Sequence, residues 1–203
     1  MIYLYDTFES YSDEEYLKNL NALPAWRRKK ALQYKKLDDR KRSVLAFVLL
    51  QRALREEYGI TELPEFVYNE FGKPSLSNLP IHFSLSHCKD AVACAVSDHN
   101  IGIDVESIAP YNPDVARRVC TATELEMLEQ SANKDTDFIK LWTMKEAISK
   151  YEGVGLSCPF AEIVTDRYSL STHCAENKVV LTICHGIKTS EPIPDIIIKK
   201  GIL

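Results

Sequence analysis

The chain has 203 residues, 45% hydrophobic and 27% charged, with 25 Lys+Arg against 29 Asp+Glu for a formal net charge of −4. Those values exclude a disordered, collagenous or coiled-coil chain, and the length suffices to bury a core without disulfide staples. The longest apolar stretch, Val44–Leu50, is far too short to cross a bilayer, and Met1–Tyr5 lacks the basic start of a signal peptide, so a cytoplasmic protein is expected.

Ile2–Phe8 is apolar and aromatic enough for a first strand. Ser12 with Glu15 three residues on reads as a capping box opening a short helix, and Pro24 suits the first turn of another. Apolar residues recur at helical spacing from about Asp39 to Tyr58, with Gly59 as the C-terminal cap. Short strands are expected at Phe66–Asn69, Ile81–Leu85, Ala91–Ser97 and Ile101–Glu106. Turns at Gly72-Lys73-Pro74 and Asp98-His99-Asn100 punctuate them. Thr121 and Glu124 form a second capping box before a helix through about Glu129. A longer helix runs from about Thr136 to Tyr151 and stops at Gly153. Glu162–Thr165, Lys178–Cys184 and Asp195–Lys199 read as strands. Helices and strands fall in segregated runs, and the order occurs twice, which predicts an α+β fold of two halves, 1–100 and 101–203. Six cysteines form no C-x-x-C pair and read as buried, reduced thiols.

Charge is concentrated. Between Trp26 and Arg42 lie nine basic residues, Arg27, Arg28, Lys29, Lys30, Lys35, Lys36, Arg40, Lys41 and Arg42, opposed only by Asp38 and Asp39. Nine less two leaves +7 locally, so the remainder of the chain carries −11. Such a patch on an acidic protein points to an anionic ligand, the plain alternative being a solvated helix face.

The carboxylates carry the chemistry. On the expected strand Ile101–Glu106, Asp104 and Glu106 point to one face and Ile103 and Val105 to the core. Paired carboxylates repel unless a cation lies between them, and oxygen-only ligation suits Mg²⁺. Against this stands a solvent-facing strand with two ordinary acids. Glu146 and Lys150 lie four apart on the long helix, either as a surface ion pair worth about 0.2–0.5 kcal/mol or as metal ligand and anion contact. Ser86-His87, ending a strand, can present a hydroxyl, an imidazole and backbone N–H groups to phosphate.

Taken together, Phe71-Gly72-Lys73-Pro74, Phe83-Ser84-Leu85-Ser86-His87, Gly102-Ile103-Asp104-Val105-Glu106 and Trp142-Thr143-Met144-Lys145-Glu146-Ala147 with Lys150 resemble the 4′-phosphopantetheinyl transferases. The likeness is to the surfactin-synthetase-activating type, from about Trp26 to Leu156. It implies a pseudo-twofold duplicated fold of two helix-plus-antiparallel-sheet halves, with coenzyme A at their junction and the chain working as a monomer. It implies transfer of the phosphopantetheine arm from coenzyme A to a serine of an acyl or peptidyl carrier protein. By position, Asp104, Glu106 and Glu146 match the family's Mg²⁺ carboxylates, Glu146 also the base that deprotonates the carrier serine. Lys150 matches the lysine that assists the leaving group, Ser86 and His87 the phosphate-binding pair, and Lys73 the lysine near the nucleotide. Arg27, Lys29, Arg42 and Ser43 fall where the family holds the 3′-phosphate. Mg²⁺ and Lys150 are then expected to hold the Glu146 carboxyl down by opposite charge. The chain is shorter after Leu156 than the longer members, which implies a second half lacking a strand or tail. Two rivals come from other classes: a Mg²⁺-dependent nuclease reading nucleic acid through the basic segment, and a non-catalytic carrier-binding module. Only Trp26 and Tyr34 interleave that segment with aromatics, so no nucleic-acid partner is expected, and with no long apolar run no membrane partner is expected either.

Overall fold

In the computed structural model, residues 1–175, 179–189 and 197–200 are described. The first strand, β1 (Ile2–Tyr5), is buried along its length. α1 (Asp13–Ala22) opens at the expected box: Ser12 Oγ accepts from Glu15 N, and the Glu15 carboxylate accepts from Ser12 N. α2 (Ala25–Leu32) begins just after Pro24, which takes the cap position rather than the first turn. α3 (Leu37–Tyr58) stops at Gly59, whose φ of 69° is the left-handed value that favours glycine. β2 (Phe66–Tyr68) and β3 (Pro74–Leu76) form a separate hairpin, followed by β4 (His82–His87), β5 (Val92–Ser97) and β6 (Gly102–Ser107). The second half continues with α4 (Pro113–Val119), α5 (Ala122–Gln130), α6 (Lys134–Glu152), β7 (Tyr168–Ala175), β8 (Val179–Ile187) and β9 (Ile198–Lys200). The Thr121–Glu124 box forms, and α6 stops at Gly153 with φ 74°.

The expected strand at Glu162–Thr165 does not form. Its residues lie in and beside 3-10 turns at Phe160–Glu162 and Thr165–Arg167. The Phe160 carbonyl is taken by the buried Lys145 ammonium at 2.9 Å, and Phe160 and Ile163 pack into the core, so this stretch serves side-chain packing rather than a ladder. Polar β7 escapes a hydrophobic reading because it is an edge strand. For the same reason Cys174 is exposed; Cys158, just past the 3-10 turn Gly155–Ser157, is half-buried, and the other four thiols are buried as expected. Lys178 and residues 195–196 of the expected strands lie outside the described residues.

The two halves share a topology. In the first, β1 pairs antiparallel with β5, and β5 with β4; in the second, β6 pairs antiparallel with β8, and β8 with β7. β9 adds parallel to the free side of β1. Strand alternation arranges four layers. Tyr3, Tyr5, Val92, Cys94 and Val96 face α3, while Ile2, Leu4, Ala93 and Ala95 face Ile103, Val105, Leu181 and Ile183 of the other sheet. The outer face of β6 and β8 is covered by α6, where Cys184 packs on Ala147 and Ile148. The chain is therefore α/β/β/α, with the two sheets back to back.

Two contacts set the junction. β4 meets β6 through side chains: Ser84 Oγ accepts from Ile103 N and Ser86 Oγ from Val105 N, at 3.1 and 3.3 Å. On the other side α6 lies so close that a Cβ on Gly102 would sit 2.0 Å from the Ala147 carbonyl oxygen and 2.6 Å from Tyr151 N. Only glycine lets the catalytic-looking helix rest on the carboxylate strand.

Candidate active site

Asp104 sits on the α6 side of β6, 2% exposed. Its Oδ1 accepts from Ser86 Oγ at 2.7 Å and from Lys150 Nζ at 2.6 Å. Lys150 Nζ also donates to Ser86 Oγ at 2.9 Å. The serine hydroxyl is thereby saturated: it donates to a carboxylate and accepts from an ammonium and a backbone N–H. Asp104 Oδ2 is buried with no partner. The surface pair Glu146–Lys150 is not what forms, because the lysine reaches across to β6 instead.

Glu106 and Glu146 flank this pair. Burial first, then Asp104, pushes the Glu106 carboxyl up to about 7, with Glu146 adding and Lys150 opposing. Burial likewise raises Glu146, Asp104 adding and Lys150 opposing. The expectation that Lys150 holds Glu146 down is thus reversed in the protein alone: the desolvation outweighs a lysine already committed to Asp104. Among the described residues, no three acidic, His or Cys side chains form a ready-made metal cluster. The donor set nevertheless suits a divalent cation, since three carboxyls share one lysine, Asp104 keeps an orphaned buried oxygen and burial raises both glutamates.

One cavity of about 370 Å³ collects these groups. From β6 and α6 come Asp104, Glu106, Glu146 and Lys150; from β4, Ser86 and His87; from the basic segment, Arg27, Lys30, Tyr34 and Ser43. His87 is exposed at the rim, yet crowding by protein, then Lys150 and Arg42, holds its ring below the usual value. Arg27 is 8% exposed; its Nη2 donates to the Ser43 carbonyl and hydroxyl at 2.6 and 2.9 Å, whereas Nη1 is buried unpartnered. Lys29 is exposed and does not line the cavity. Arg42 does not line it either: it donates to Asp39 at 2.6 Å and lies over the Phe8 ring, close enough to His87 to influence it. Lys73 lines an adjoining cavity of about 230 Å³ that shares Leu85 and Lys150 with the first.

Sequence reasoning passed over Lys30 and Tyr34 as site residues. Counting three residues on from Arg27, roughly one helical turn, would have found Lys30; Tyr34 lies past the end of α2, where helical spacing gives no signal. Lys145, inside the quoted motif, is fully buried, with its ammonium on the Val119 and Phe160 carbonyls and the Glu124 carboxylate. It fixes α6 against the α5 cap and the 3-10 turns and does not reach the cavity.

Comparison with known proteins adds a second line. The family model of the 4′-phosphopantetheinyl transferase superfamily matches residues 100–188. The chain is 32% identical over 166 residues to 4′-phosphopantetheinyl transferase Sfp of Bacillus subtilis, covering 80% of this chain and 72% of that one. It is 40% identical over 112 residues to 4′-phosphopantetheinyl transferase AcpT of Salmonella typhi, covering 52% and 55%. The solved holo-[acyl-carrier-protein] synthase of Thermotoga maritima aligns over 44% of this chain and 64% of its own, at 17% identity and a TM-score of 0.36.

Proposed function

The chain belongs to the 4′-phosphopantetheinyl transferase superfamily, and from that premise we propose that it transfers the 4′-phosphopantetheine arm of coenzyme A to a serine of an acyl or peptidyl carrier protein. Adenosine 3′,5′-bisphosphate is the other product. The observation that carries the reading is the single cavity in which basic, hydroxyl and acidic side chains from both halves converge. A diphosphate ester fits that mixture: cationic groups for phosphate at one side, carboxylates for a cation at the other.

Asp104, Glu106 and Glu146 would hold Mg²⁺, Asp104 with the oxygen that now lacks a partner. Bound there, the ion supplies countercharge to the pyrophosphate. The chain's own groups do the rest. Glu146, on the cavity wall beside Asp104 and Lys150, takes the proton of the carrier serine. The serine Oγ–P bond forms as the anhydride P–O bond to the 5′-phosphate breaks, and Lys150 neutralises charge on the departing phosphate. His87 presents an imidazole to the pyrophosphate, and Ser86, whose hydroxyl is committed to Asp104 and Lys150, fixes those two groups beside it. Arg27, Ser43 and Lys30 take the 3′-phosphate, with Arg42 nearby outside the cavity wall; Lys73, its ammonium held by Asn100 and the Tyr151 carbonyl, offers the nucleotide the wall of the adjoining cavity rather than a free charge.

We place the division between the two topological repeats near residue 100/101, with β9 crossing back to β1; the cavity draws side chains from both sides of it within one chain, which supports a monomer. Among the described residues no helix is long and apolar enough to cross a membrane and no disulfide forms, which supports a cytoplasmic setting. The decisive experiment is intact-mass measurement of apo-carrier proteins incubated with the chain, coenzyme A and Mg²⁺. A gain of one phosphopantetheine on the carrier is the expected result; unmodified carriers across fatty-acid, polyketide and peptide types would overturn the reading.

A further inference from the structure

Among the described residues the β2–β3 hairpin pairs with no other strand, yet its tip is fastened to the far half of the molecule. Asn69 does two jobs at once. Its Oδ1 accepts from Phe71 N and Lys73 N, at 3.0 and 2.8 Å, closing the hairpin turn. Its Nδ2 donates to the Gly153 carbonyl at 2.8 Å, just past the end of α6. Lys73 Nζ donates to the Tyr151 carbonyl and to Asn100 Oδ1, both at 2.9 Å, and Asn100 Nδ2 donates to the same Tyr151 carbonyl at 2.8 Å. A Cβ on Gly153 would stand 2.9 Å from Lys73 Cδ and 3.0 Å from Asn69 Nδ2, so the close approach requires glycine there. The last carbonyls of a helix have no partner within it and favour a cation; here the first half supplies both the donors and the charge. Lys150 is the residue immediately before this clamped turn.

We propose that Asn69, with Lys73 and Asn100, forms a clamp between the two halves that fixes the last turn of α6 and thereby holds Lys150 against Asp104 and Ser86. Asn69 and Asn100 are positioning residues: they act through Lys150 and the wall of the adjoining cavity, which lies between the hairpin tip and the end of α6. This rests on the proposed transfer reaction only for its kinetic consequence, while the clamp itself is a property of the folded chain.

Asn69→Asp separates the two jobs. The carboxylate still accepts the Phe71 and Lys73 N–H groups, so the turn survives, but the donor to Gly153 is gone. One hydrogen bond of this kind is worth about 0.5–1.5 kcal/mol, or roughly two- to tenfold. The full-length chain is tested in two ways. In steady-state transfer to a bacterial fatty-acid apo-acyl carrier protein with Mg²⁺, Asn69→Asp should lower kcat by about that factor, and the loss should vanish when added to Lys150→Ala. In hydrogen exchange without substrates, amides 150–153 should exchange faster in Asn69→Asp and amides 134–142 unchanged. Equal losses with and without Lys150, or unaltered exchange at 150–153, would overturn the clamp. A wild-type chain that fails to transfer overturns the reaction instead, and the exchange measurement still decides the clamp.

Discussion

Arg27 spends only one side of its guanidinium. Nη2 is bound to Ser43, and Nη1 is buried without a partner, a deficit of about 1–3 kcal/mol that an anion in the cavity can recover. Arg27→Ala should therefore raise KM for coenzyme A by about ten- to a hundredfold, the worth of a charge-assisted bond, and barely affect 3′-dephospho-coenzyme A. Equal responses to the two substrates would move the 3′-phosphate elsewhere. Glu146 makes a different prediction, because its proposed role is to take the serine proton. Glu146→Gln should leave calorimetric binding of coenzyme A largely intact and lower kcat by about 10²–10⁴-fold. A variant that binds poorly yet turns over normally at saturation would make Glu146 a ligand alone.

At the scale of elements, the site depends on how closely α6 lies on β6. The atoms that a Gly102 side chain would strike are backbone, which cannot rotate aside. Gly102→Ala should cost at least about 2 kcal/mol in urea unfolding, near the upper range for overpacking. Gly59→Ala, where nothing lies within 4 Å of the added carbon, should cost only about 1 kcal/mol for its left-handed φ. Should Gly102→Ala be the milder of the two, helix and strand are less rigidly apposed than described. β8 adds a pH response. His185, bonded to Ser171 at 3.1 Å, is held below its ordinary 6.5 by burial first. The unfolded chain takes up that proton at higher pH than the folded one, so the unfolded state binds more protons in the window. The stability from neutral His185 is whole above about pH 6.5 and is lost as pH falls through the depressed value. Calorimetry should show Tm shifting less toward instability between about pH 7.5 and 5.5 in His185→Asn than in wild type, the depressed His87 and the oppositely acting raised Glu106 carboxyl contributing equally to both. An unchanged drop would clear His185.

The whole molecule has one inter-sheet core shared by the repeats. Ile2 and Leu4 of the first half bury against Ile103, Val105, Leu181 and Ile183 of the second, and β9 returns to pair with β1. Lys199 reinforces that return through Glu56, Glu57 and the Tyr3 hydroxyl. Neither half can cover its inner sheet face alone. Fragments 1–100 and 101–203 expressed separately should lack cooperative melting, whereas their mixture should regain it. A fragment that melts cooperatively by itself would make the repeats independent domains.

Much of this was written locally. The Ser12–Glu15 and Thr121–Glu124 caps, the stops at Gly59 and Gly153, and the shared face of Asp104 and Glu106 follow from spacings of two to four residues, which backbone geometry alone converts to structure. The linear order of the motifs was enough to point to the family. Partner choice was not local. Lys150 pairs with Asp104, 46 positions away, rather than Glu146 one turn back, because α6 crosses β6 at Gly102 and brings a buried acid within reach. Residues 162–165 have strand-like composition and form turns, since the Lys145 ammonium claims the Phe160 carbonyl beside them. Asn69 and Asn100 look like ordinary turn residues until the hairpin meets the end of α6, 84 and 51 positions on. Periodicity states which way a side chain points along its own element; what it meets there is decided only when the two sheets pack and bring distant elements within hydrogen-bond range.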